Sequence, residues 1–443
     1  MWSGATEAMS RSANKILFIL LDAFRHDYIN PVDTPFLYAG TQLGVYARKL
    51  KTTTGFTQRT SIFTGTMGTK SDMFTMFTFD YDGSPFRFLD HDRRAKAFVT
   101  TGRLLEGIPA VNGLRRLKRL LSKGYDQKEQ AYRKWIQNES KKYAAHAPAA
   151  YIPLTLLPFI GVSEDNRPIH LPGAGAEETI FDVFVKEQIE YKYLMFPALN
   201  CEDEAVLQQF LCAKNSSAEI ILGQFSDSDL LIHHCGPSSQ RRRTIAGEID
   251  RRLREIAVEY ENDVAWIIIG DHGMTDVKEE IDIIGQLTSL EDKSGVTRQS
   301  DYLVFLDSTM ARFRWITEKG REFLNKIQDA PLFHDKGRFI DEAMADRYQI
   351  PIADRRYGDL IWWANLGTLI FPDYFHDRYT HNKGMHGYDS DHDDMKGFFL
   401  AFGPTISTAV TEEAHLIDVC ASLCAMVGVK PPKSNQGKSL LPL

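Results

Sequence analysis

The chain has 443 residues and a net charge of −7, with 43% hydrophobic and 25% charged residues. These proportions are those of an ordinary globular protein, and a length beyond about 300 residues predicts one large core with insertions. The acidic balance provides no overall basic field. It therefore argues against a stable nucleic acid partner, although not against a nucleotide ligand.

The N-terminal region and the cysteines bear on the cellular compartment. No apolar run precedes residue 16, and the run 16–21 is too short for the hydrophobic segment of a secretory signal. We therefore expect a cytoplasmic protein. The five cysteines show no metal-binding spacing, and Cys420 and Cys424 lie one turn apart in a predicted apolar helix, which indicates buried free thiols.

Short aliphatic runs alternate with helical patterns along much of the chain. The predicted strands, in chain order, are Lys15–Leu21, Val45–Lys51, 218–225, 264–269 and 398–402. One predicted helix begins near Gln58, a second spans 244–261 with many opposite charges four residues apart, and a third spans 417–427. The alternation predicts an α/β fold with a mostly parallel central sheet and helices on both faces.

Two segments interrupt this alternation and divide the α/β core into three parts. Residues 101–175 are predicted to form a helical insertion, and residues 279–383 a lid or cap insertion of mixed helix and strand. The core then comprises residues 12–100, 176–278 and 384–443. We expect the insertions to shape or cover a site carried by the sheet.

Carboxylates and imidazoles stand where the predicted strands end or in glycine-rich turns. They are Asp22, Asp229, His233, Asp271, His272 and His386. Each taken alone also fits a structural role, such as a helix cap or a hydrogen-bonded loop histidine. Together they supply the oxygen and nitrogen ligands that a pair of divalent metal ions requires. Because strand ends of a parallel sheet share one edge, we expect the six side chains to converge there.

The threonine-rich segment 52–60 contains a candidate nucleophile. Thr57 precedes the predicted helix at Gln58, where the helix dipole and a metal ion would lower the pKa of its hydroxyl. A plain N-cap is its structural alternative, and Thr54 is the alternative nucleophile. Two ions about 4 Å apart bridge a phosphate oxygen, activate the hydroxyl and stabilise the leaving group. The pattern predicts a two-metal hydrolase that forms a covalent phospho-threonine.

The same residues lie in short motifs that resemble the alkaline phosphatase superfamily, in its nucleotide pyrophosphatase/phosphodiesterase (type I phosphodiesterase) branch. The resemblance covers residues 15–80, 218–278 and 384–443. The matching motifs are Leu21-Asp22-Ala23-Phe24-Arg25, Ser61-Ile62-Phe63-Thr64-Gly65, Asp229-x-x-x-His233-x-x-Gly236-Pro237, Asp271-His272-Gly273-Met274 and His386-Gly387-Tyr388-Asp389.

The resemblance implies an arrangement of the site. One ion would be held by Asp229, His233 and His386. The other would be held by Asp22, Asp271, His272 and the nucleophile Thr57. The implied ions are zinc, with manganese as the alternative.

The nucleophile is where the chain departs from the family pattern. In better-known members it stands ten residues before the glycine that matches Gly65, and here that residue is Gly55, which has no hydroxyl. Thr57 is therefore assigned to the role. Arg59 and Thr54 are further candidates for contacts with the substrate.

The implied activity is that of a dimetal-dependent phosphodiesterase or nucleotide pyrophosphatase acting on a small-molecule phosphodiester, phosphoanhydride or nucleotide. A phosphomonoesterase or phosphotransferase of the same fold is an alternative, because the same metals serve both reactions. A sulfatase is disfavoured, since Gly55 stands where the cysteine or serine of that class would be.

Two segments raise the alternative that the chain acts at a membrane surface. Residues 114–121 form a basic amphipathic stretch, and residues 149–162 form an apolar run too short to span a bilayer. The chain would then be an enzyme with peripheral membrane contact that acts on a lipid-linked phosphodiester, or a non-enzymatic membrane-surface or partner-binding protein. A solvated helix that packs its leucines on the core is the preferred interpretation of 114–121. The sequence sets no oligomeric state.

Overall fold

A computed structural model describes residues 15–106, 114–141, 151–163, 168–195, 198–199, 202–261, 264–376 and 379–442. The strands are β1 (Lys15–Leu21), β2 (Val45–Lys51), β3 (Phe77–Phe79), β4 (Ile160–Val162), β5 (Tyr191–Leu194), β6 (Ile220–Phe225), β7 (Val264–Gly270), β8 (Thr275–Asp276), β9 (Glu279–Ile281), β10 (Tyr302–Asp307), β11 (Met310–Trp315), β12 (Gly337–Phe339), β13 (Leu360–Ala364), β14 (Thr368–Ile370), β15 (Gly384–Met385), β16 (Gly397–Phe402) and β17 (Ala409–His415).

Helices connect and cover these strands. They are α1 (Pro35–Gly40), α2 (Gln58–Thr64), α3 (Gly68–Ser71), α4 (Arg93–Glu106), α5 (Leu114–Ser140), α6 (Ile180–Lys186), α7 (Asp203–Ala213), α8 (Asp227–Cys235), α9 (Gln240–Tyr260), α10 (Ile283–Ser294), α11 (Glu318–Ile327), α12 (Pro331–Asp335), α13 (Glu342–Tyr348) and α14 (Asp418–Val427). The predicted strands and helices are confirmed, with bounds that move by a few residues at most.

The central sheet has seven strands in the order β17–β2–β16–β7–β1–β6–β5. Strands β7, β1, β6 and β5 pair in parallel, and β2 pairs in parallel with β17. The predicted fold class, a mostly parallel sheet, is therefore confirmed. Strand β16 is the exception, because it runs antiparallel to both β7 and β2. The chain enters β16 from the sheet edge that carries His386, so this strand has to run away from that edge.

Helices cover both faces of the central sheet, as the alternation predicts. Side chains alternate along β1, so that Leu17, Ile19 and Leu21 pack with α7 and α9 on one face. Phe18 and Leu20 pack with α2, α6 and α14 on the other face. Burial on both faces explains why β1, β6 and β7 are nearly continuous apolar runs in the sequence. Cys420 and Cys424 are free, buried thiols in α14, as predicted.

The segment 279–383 contains a second sheet of four antiparallel strands in the order β10–β11–β13–β12. Arg312, on β11 of this sheet, is fully buried and its Nε forms an ion pair with the buried Asp307 at 2.5 Å. Its Nη1 also donates to the carbonyl of Phe77 on β3 at 2.8 Å. The second sheet is thereby tied to the chain that follows the central sheet's β2.

The segment 101–175 contributes α5 and β4, and β4 pairs antiparallel with β3. The described part of the apolar run 149–162 is internal, since Ile152, Leu154, Leu157 and Ile160 are all buried in a core cluster. These four side chains of the run pack into the protein and are not exposed to a membrane. The side chains of residues 114–120, most of the basic amphipathic stretch, lie outside the described residues. Within the described part of the chain, every helix is too short or too polar to cross a bilayer.

Candidate active site

Four parallel strands deliver the candidate residues to one edge of the central sheet. Asp22 directly follows β1, and Asp271 directly follows β7. The chain leaving β6 enters α8, and the chain leaving β2 reaches Thr57 at the head of α2. His386 arrives differently, from the two-residue strand β15, which pairs with β8 just beyond Asp271. The carboxyl ends of parallel strands are where such folds place their ligands.

The first group of candidate ligands comprises Asp229, His233 and His386, whose ligand atoms lie within 4.8 Å of one another. Asp229 and His233 are one turn apart on α8, as their spacing predicts. Asp229 Oδ1 lies 3.2 Å from His233 Nε2 and 3.5 Å from His386 Nε2. This oxygen is buried and accepts a well-aligned hydrogen bond from neither ring nor from any other described residue. A buried anionic oxygen in that position calls for a cation.

The second group comprises Asp22, Asp271 and His272, again with ligand atoms within 4.8 Å of one another. His272 Nε2 lies 3.4 Å from Asp22 Oδ1 and 3.8 Å from Asp271 Oδ2. Asp271 Oδ1 accepts hydrogen bonds from the backbone N–H groups of Ala23 and His272, which fix the carboxylate. These are the same two groups that the sequence resemblance implies.

Backbone carbonyls orient two of the imidazoles. Nδ1 of His233 donates to the carbonyl of Gly384 at 2.8 Å, and Nδ1 of His272 donates to the carbonyl of Gly273 at 3.0 Å. A carbonyl only accepts, so the proton lies on Nδ1 and each Nε2 presents its lone pair to the site when the ring is neutral. This is the arrangement that metal-binding histidines adopt in proteins.

The charges of the two groups are strongly interdependent. Burial acts to raise the pKa of Asp229, but the charge of His233 outweighs burial and holds that pKa well below its usual range. Burial raises the pKa of Asp271 to about 6, against the charge of His272. Burial acts to lower the pKa of His272, but Asp271 and Asp22 outweigh it and raise that pKa to about 10.

His386 has the opposite environment. Burial, and then the charge of His272, lower its pKa well below the usual value for histidine. Its ring stacks on that of His272 with centroids 4.2 Å apart. His386 is therefore held neutral, which is the state in which an imidazole binds a metal ion.

Thr57 lies beside both groups. It is the residue that precedes α2, it is buried, and it lines the same cavity as the six candidate ligands. Its hydroxyl caps no backbone N–H at the start of α2, so the plain N-cap interpretation does not hold. Thr54 lies apart from that lining, and its hydroxyl is within hydrogen-bond distance of Ser390 at 3.2 Å. Gly55 adopts a φ of 101°, which lets the loop turn toward Thr57.

Arg59 also lines the cavity, and a residue that the sequence analysis did not select holds it there. Gln224, on β6, accepts hydrogen bonds from Arg59 Nη2 at 2.8 Å and Nε at 3.3 Å. Its Nε2 donates to Asp22 Oδ2 at 2.6 Å and to Ser226 Oγ at 3.1 Å. A signal for Gln224 was present in the sequence, because it is the one polar side chain of the otherwise apolar strand β6.

The cavity has a volume of about 310 Å³, which is within the range of small-molecule sites. Its other walls come from residues that sequence analysis left unassigned: Phe56, Gln58, Met76, Ser308, Phe375, His376 and Met385. His376 is held between the buried Asp373, at 2.8 Å from Nδ1, and Asn382, at 2.9 Å from Nε2. No local sequence pattern marks Ser308, Phe375 and His376, since they reach the cavity only through the packing of segment 279–383.

The residues present fit a pair of divalent metal ions. Each group offers carboxylate oxygen and imidazole nitrogen, which are the donors that zinc and related ions bind. The orphaned Asp229 Oδ1 and the backbone-oriented Nε2 atoms of His233 and His272 point to cations as the missing partners. Asp229, His233 and His386 would hold one ion, and Asp22, Asp271, His272 and Thr57 the other.

Fold and site together define a hydrolase of the alkaline phosphatase superfamily. A model of the type I phosphodiesterase / nucleotide pyrophosphatase family matches residues 16–389, which is most of the chain. The chain belongs to this family, and the family indicates a phosphodiesterase or pyrophosphatase.

Curated relatives carry the corresponding names. The chain is 25% identical over 463 residues to human ectonucleotide pyrophosphatase/phosphodiesterase family member 7, covering 100% of this chain and 86% of the relative. It is 23% identical to human family member 5, covering 97% of this chain and 78% of the relative.

Solved structures share the fold. Murine ectonucleotide pyrophosphatase/phosphodiesterase 5 matches with a TM-score of 0.62 at 16% identity, covering 94% of this chain and 96% of that one. The same values describe an inactive threonine-to-alanine variant of the murine protein in complex with AMP.

Proposed function

We propose that the chain is a dimetal-dependent phosphodiesterase or nucleotide pyrophosphatase that works through a phospho-threonine on Thr57. The observation that carries the proposal is that two Asp/His groups and Thr57 line a single cavity. The Thr57 hydroxyl caps no backbone N–H of α2. Two divalent ions, held by the two Asp/His groups, would supply Lewis-acid stabilisation of the phosphoryl group and lower the pKa of the threonine hydroxyl.

Thr57 is the residue that changes covalently in this proposal. Its Oγ, having lost the hydroxyl proton to solvent, forms a bond to phosphorus while the bond from phosphorus to the leaving oxygen breaks. The leaving group departs as an alcohol, or as a phosphate if the substrate is an anhydride, after taking a proton. Water then attacks the phosphorus, the bond to Thr57 breaks, and the hydroxyl is restored. A diester is thereby hydrolysed to a monoester and an alcohol.

The roles of the other residues follow from their contacts. The carbonyls of Gly384 and Gly273 keep the Nε2 atoms of His233 and His272 directed at the site. Burial keeps His386 neutral, so its lone pair is available. Backbone N–H groups fix the Asp271 carboxylate before any substrate arrives. Such preorganisation is the main contribution a protein makes at a phosphoryl-transfer site.

A nucleotide substrate is supported by two features. The murine structural neighbour is described in complex with AMP as an inactive threonine variant. In this chain, Phe56 and Phe375 line the cavity with ring centroids 6.5 Å apart, which provides an aromatic wall beside the candidate ligands. Aromatic faces bind planar, apolar parts of ligands.

The test combines metal analysis with a substrate panel. Protein purified and then loaded with zinc or manganese is assayed against bis-p-nitrophenyl phosphate, nucleotide diesters, dinucleotides and phospholipid head groups. We expect two ions per chain and turnover of nucleotide diesters or dinucleotides. Failure to hydrolyse any phosphodiester or phosphoanhydride with either metal would overturn the proposal. Turnover confined to phospholipid substrates would instead support the lipid-linked alternative.

A cytoplasmic location is also part of the proposal. It is supported by the free thiols of Cys212, Cys235, Cys420 and Cys424, since reduced thiols persist in the cytosol. Fractionation of cells that express the native chain tests it, and recovery of the protein outside the cytoplasm would contradict it.

A further inference from the structure

The contact between Gln224 and Arg59 gives the cavity a positively charged side chain of fixed orientation. Gln224 is buried, with 5% of its surface exposed, and its two amide ends bind different partners. The oxygen accepts from Arg59, and the nitrogen donates to the Asp22 carboxylate and to Ser226. The reverse orientation would set the amide oxygen against the carboxylate and the NH₂ against the guanidinium, so only one orientation is stable.

Arg59 therefore lines the cavity in which a substrate phosphoryl group would bind. It is two residues after Thr57 and lines the same cavity. A guanidinium is planar and always charged, and its N–H groups match the oxygens of a phosphate. The hydrogen bonds to Gln224 fix the plane of this group, so little is lost in ordering it when phosphate binds.

The charge balance of the loaded site decides what Arg59 would add. The three carboxylates and an ionised Thr57 balance the charge of two divalent ions. Arg59 then adds the positive charge of its guanidinium to the cavity wall. A phosphodiester brings one negative charge on two free oxygens, whereas a phosphomonoester brings close to two charges on three oxygens. The additional charge and oxygen of the monoester are the features that Arg59 suits.

We propose that Arg59, held by Gln224, is a specificity-determining group that gives the site phosphomonoesterase activity in addition to its action on diesters. This inference rests on the proposed function, because it uses the same nucleophile and ligands. In the added reaction the Thr57 Oγ forms a bond to phosphorus as the bond to the leaving alcohol breaks, and the alcohol takes a proton. Water then splits the phospho-threonine to restore Thr57 and release inorganic phosphate. Gln224 acts as a positioning residue.

The test compares two substrates that share one leaving group. p-Nitrophenyl phosphate and bis-p-nitrophenyl phosphate are assayed on metal-loaded wild type, Arg59→Met and Gln224→Met, with the surface substitution Arg251→Met as the matched control. We expect wild type to turn over both substrates. Arg59→Met should lower the monoester kcat/KM about ten- to hundredfold more than the diester kcat/KM. Gln224→Met should shift the same ratio in the same direction, and Arg251→Met should leave it unchanged.

A binding measurement gives a readout that needs no turnover. Metal-loaded Thr57→Ala protein is titrated with inorganic phosphate and with dimethyl phosphate, with and without Arg59→Met. Arg59→Met should weaken the binding of inorganic phosphate by about the same ten- to hundredfold, and the binding of dimethyl phosphate by much less. For each variant, the ratio of the two affinities is measured on one protein sample, so partial unfolding of that variant does not alter the ratio.

The possible failures are distinguishable. Turnover of the diester without the monoester, or equal losses of both substrates in Arg59→Met, would overturn this inference and leave the proposed function standing. Equal losses in Gln224→Met would show a merely structural glutamine and would overturn its positioning role. If neither substrate is hydrolysed with either metal, the proposed function fails and this inference with it.

Discussion

The rings of His272 and His386 stack with their centroids 4.2 Å apart, although each belongs to a different group of candidate metal ligands. The stacked rings place the two groups of candidate ligands in direct contact. The charge of His272 adds to burial in keeping His386 neutral. The two groups of candidate ligands are therefore adjacent, as catalysis by a metal pair requires.

The first prediction concerns the nucleophile. Thr57→Ala should lower kcat by about three orders of magnitude or more, because the attacking oxygen is removed. Metal content should stay close to that of wild type, since Asp22, Asp271 and His272 remain. Turnover assays and elemental analysis of the same sample check both statements. Thr54→Ala is the matched control and should retain activity. A fully active Thr57→Ala with an inactive Thr54→Ala would move the nucleophile to Thr54.

The second prediction concerns the ligands. His233→Ala and Asp271→Asn should each lose metal and activity together, one from each group, because each removes a donor atom from a buried set. Metal is counted by elemental analysis after dialysis. His381→Ala is the matched control, since that histidine is half exposed and pairs with Glu280 on the surface. Full metal content in both ligand variants would argue against the assigned sites.

The third prediction concerns pH. In the metal-free protein Asp271 and Asp22 outweigh burial and raise the pKa of His272 to about 10, so its ring carries a proton at neutral pH. Metal binding has to displace that proton. Affinity should therefore fall as the pH falls from about 10 toward 6, and binding should release protons. Calorimetry in two buffers of different ionisation enthalpy counts the protons, and binding without proton release would contradict the expectation.

The same linkage sets the sign for the stability of the metal-free protein. A histidine whose folded-state pKa is raised contributes stability that is fully present below its unfolded pKa of about 6.5. This stability is lost as the pH rises through about 10. The thermal midpoint of protein freed of metal by a chelator should thus decline as the pH rises from about 6.5 to about 10. The variant His272→Ala should lack this decline.

The fourth prediction concerns the buried ion pair of the second sheet. Arg312→Met should destabilise the protein by about 3–5 kcal/mol, because it leaves the Asp307 carboxylate buried without its partner. The double substitution Arg312→Met/Asp307→Leu should recover part of the loss, since no unpaired charge remains. Chemical denaturation measures both. Arg321→Met, at an exposed pair with Glu318, should change stability by less than about 1 kcal/mol.

Local sequence patterns were sufficient for five of the seven strands of the central sheet, and for the candidate residues at their ends, but they did not predict the outer strands β5 and β17. Fully buried parallel strands are short aliphatic runs, so β1 and β7 could be recognised, and Asp22 and Asp271 follow directly from where those runs stop. The spacing of Asp229 and His233 likewise reports their shared face on α8, because helical geometry depends only on near neighbours. His386 was selected only because it accompanies the other candidate ligands, since its glycine-rich loop carries no such period.

Only the tertiary structure decided which side chains meet. It placed Thr57, and not Thr54, in the lining of the cavity, and it gave β16 its antiparallel direction. It also brought Gln224 into contact with both Arg59 and Asp22. Phe375 and His376 became part of the cavity wall through the packing of segment 279–383. The physical reason is that periodicity records the burial of one element at a time, whereas contacts between residues far apart in the chain depend on how elements pack against one another.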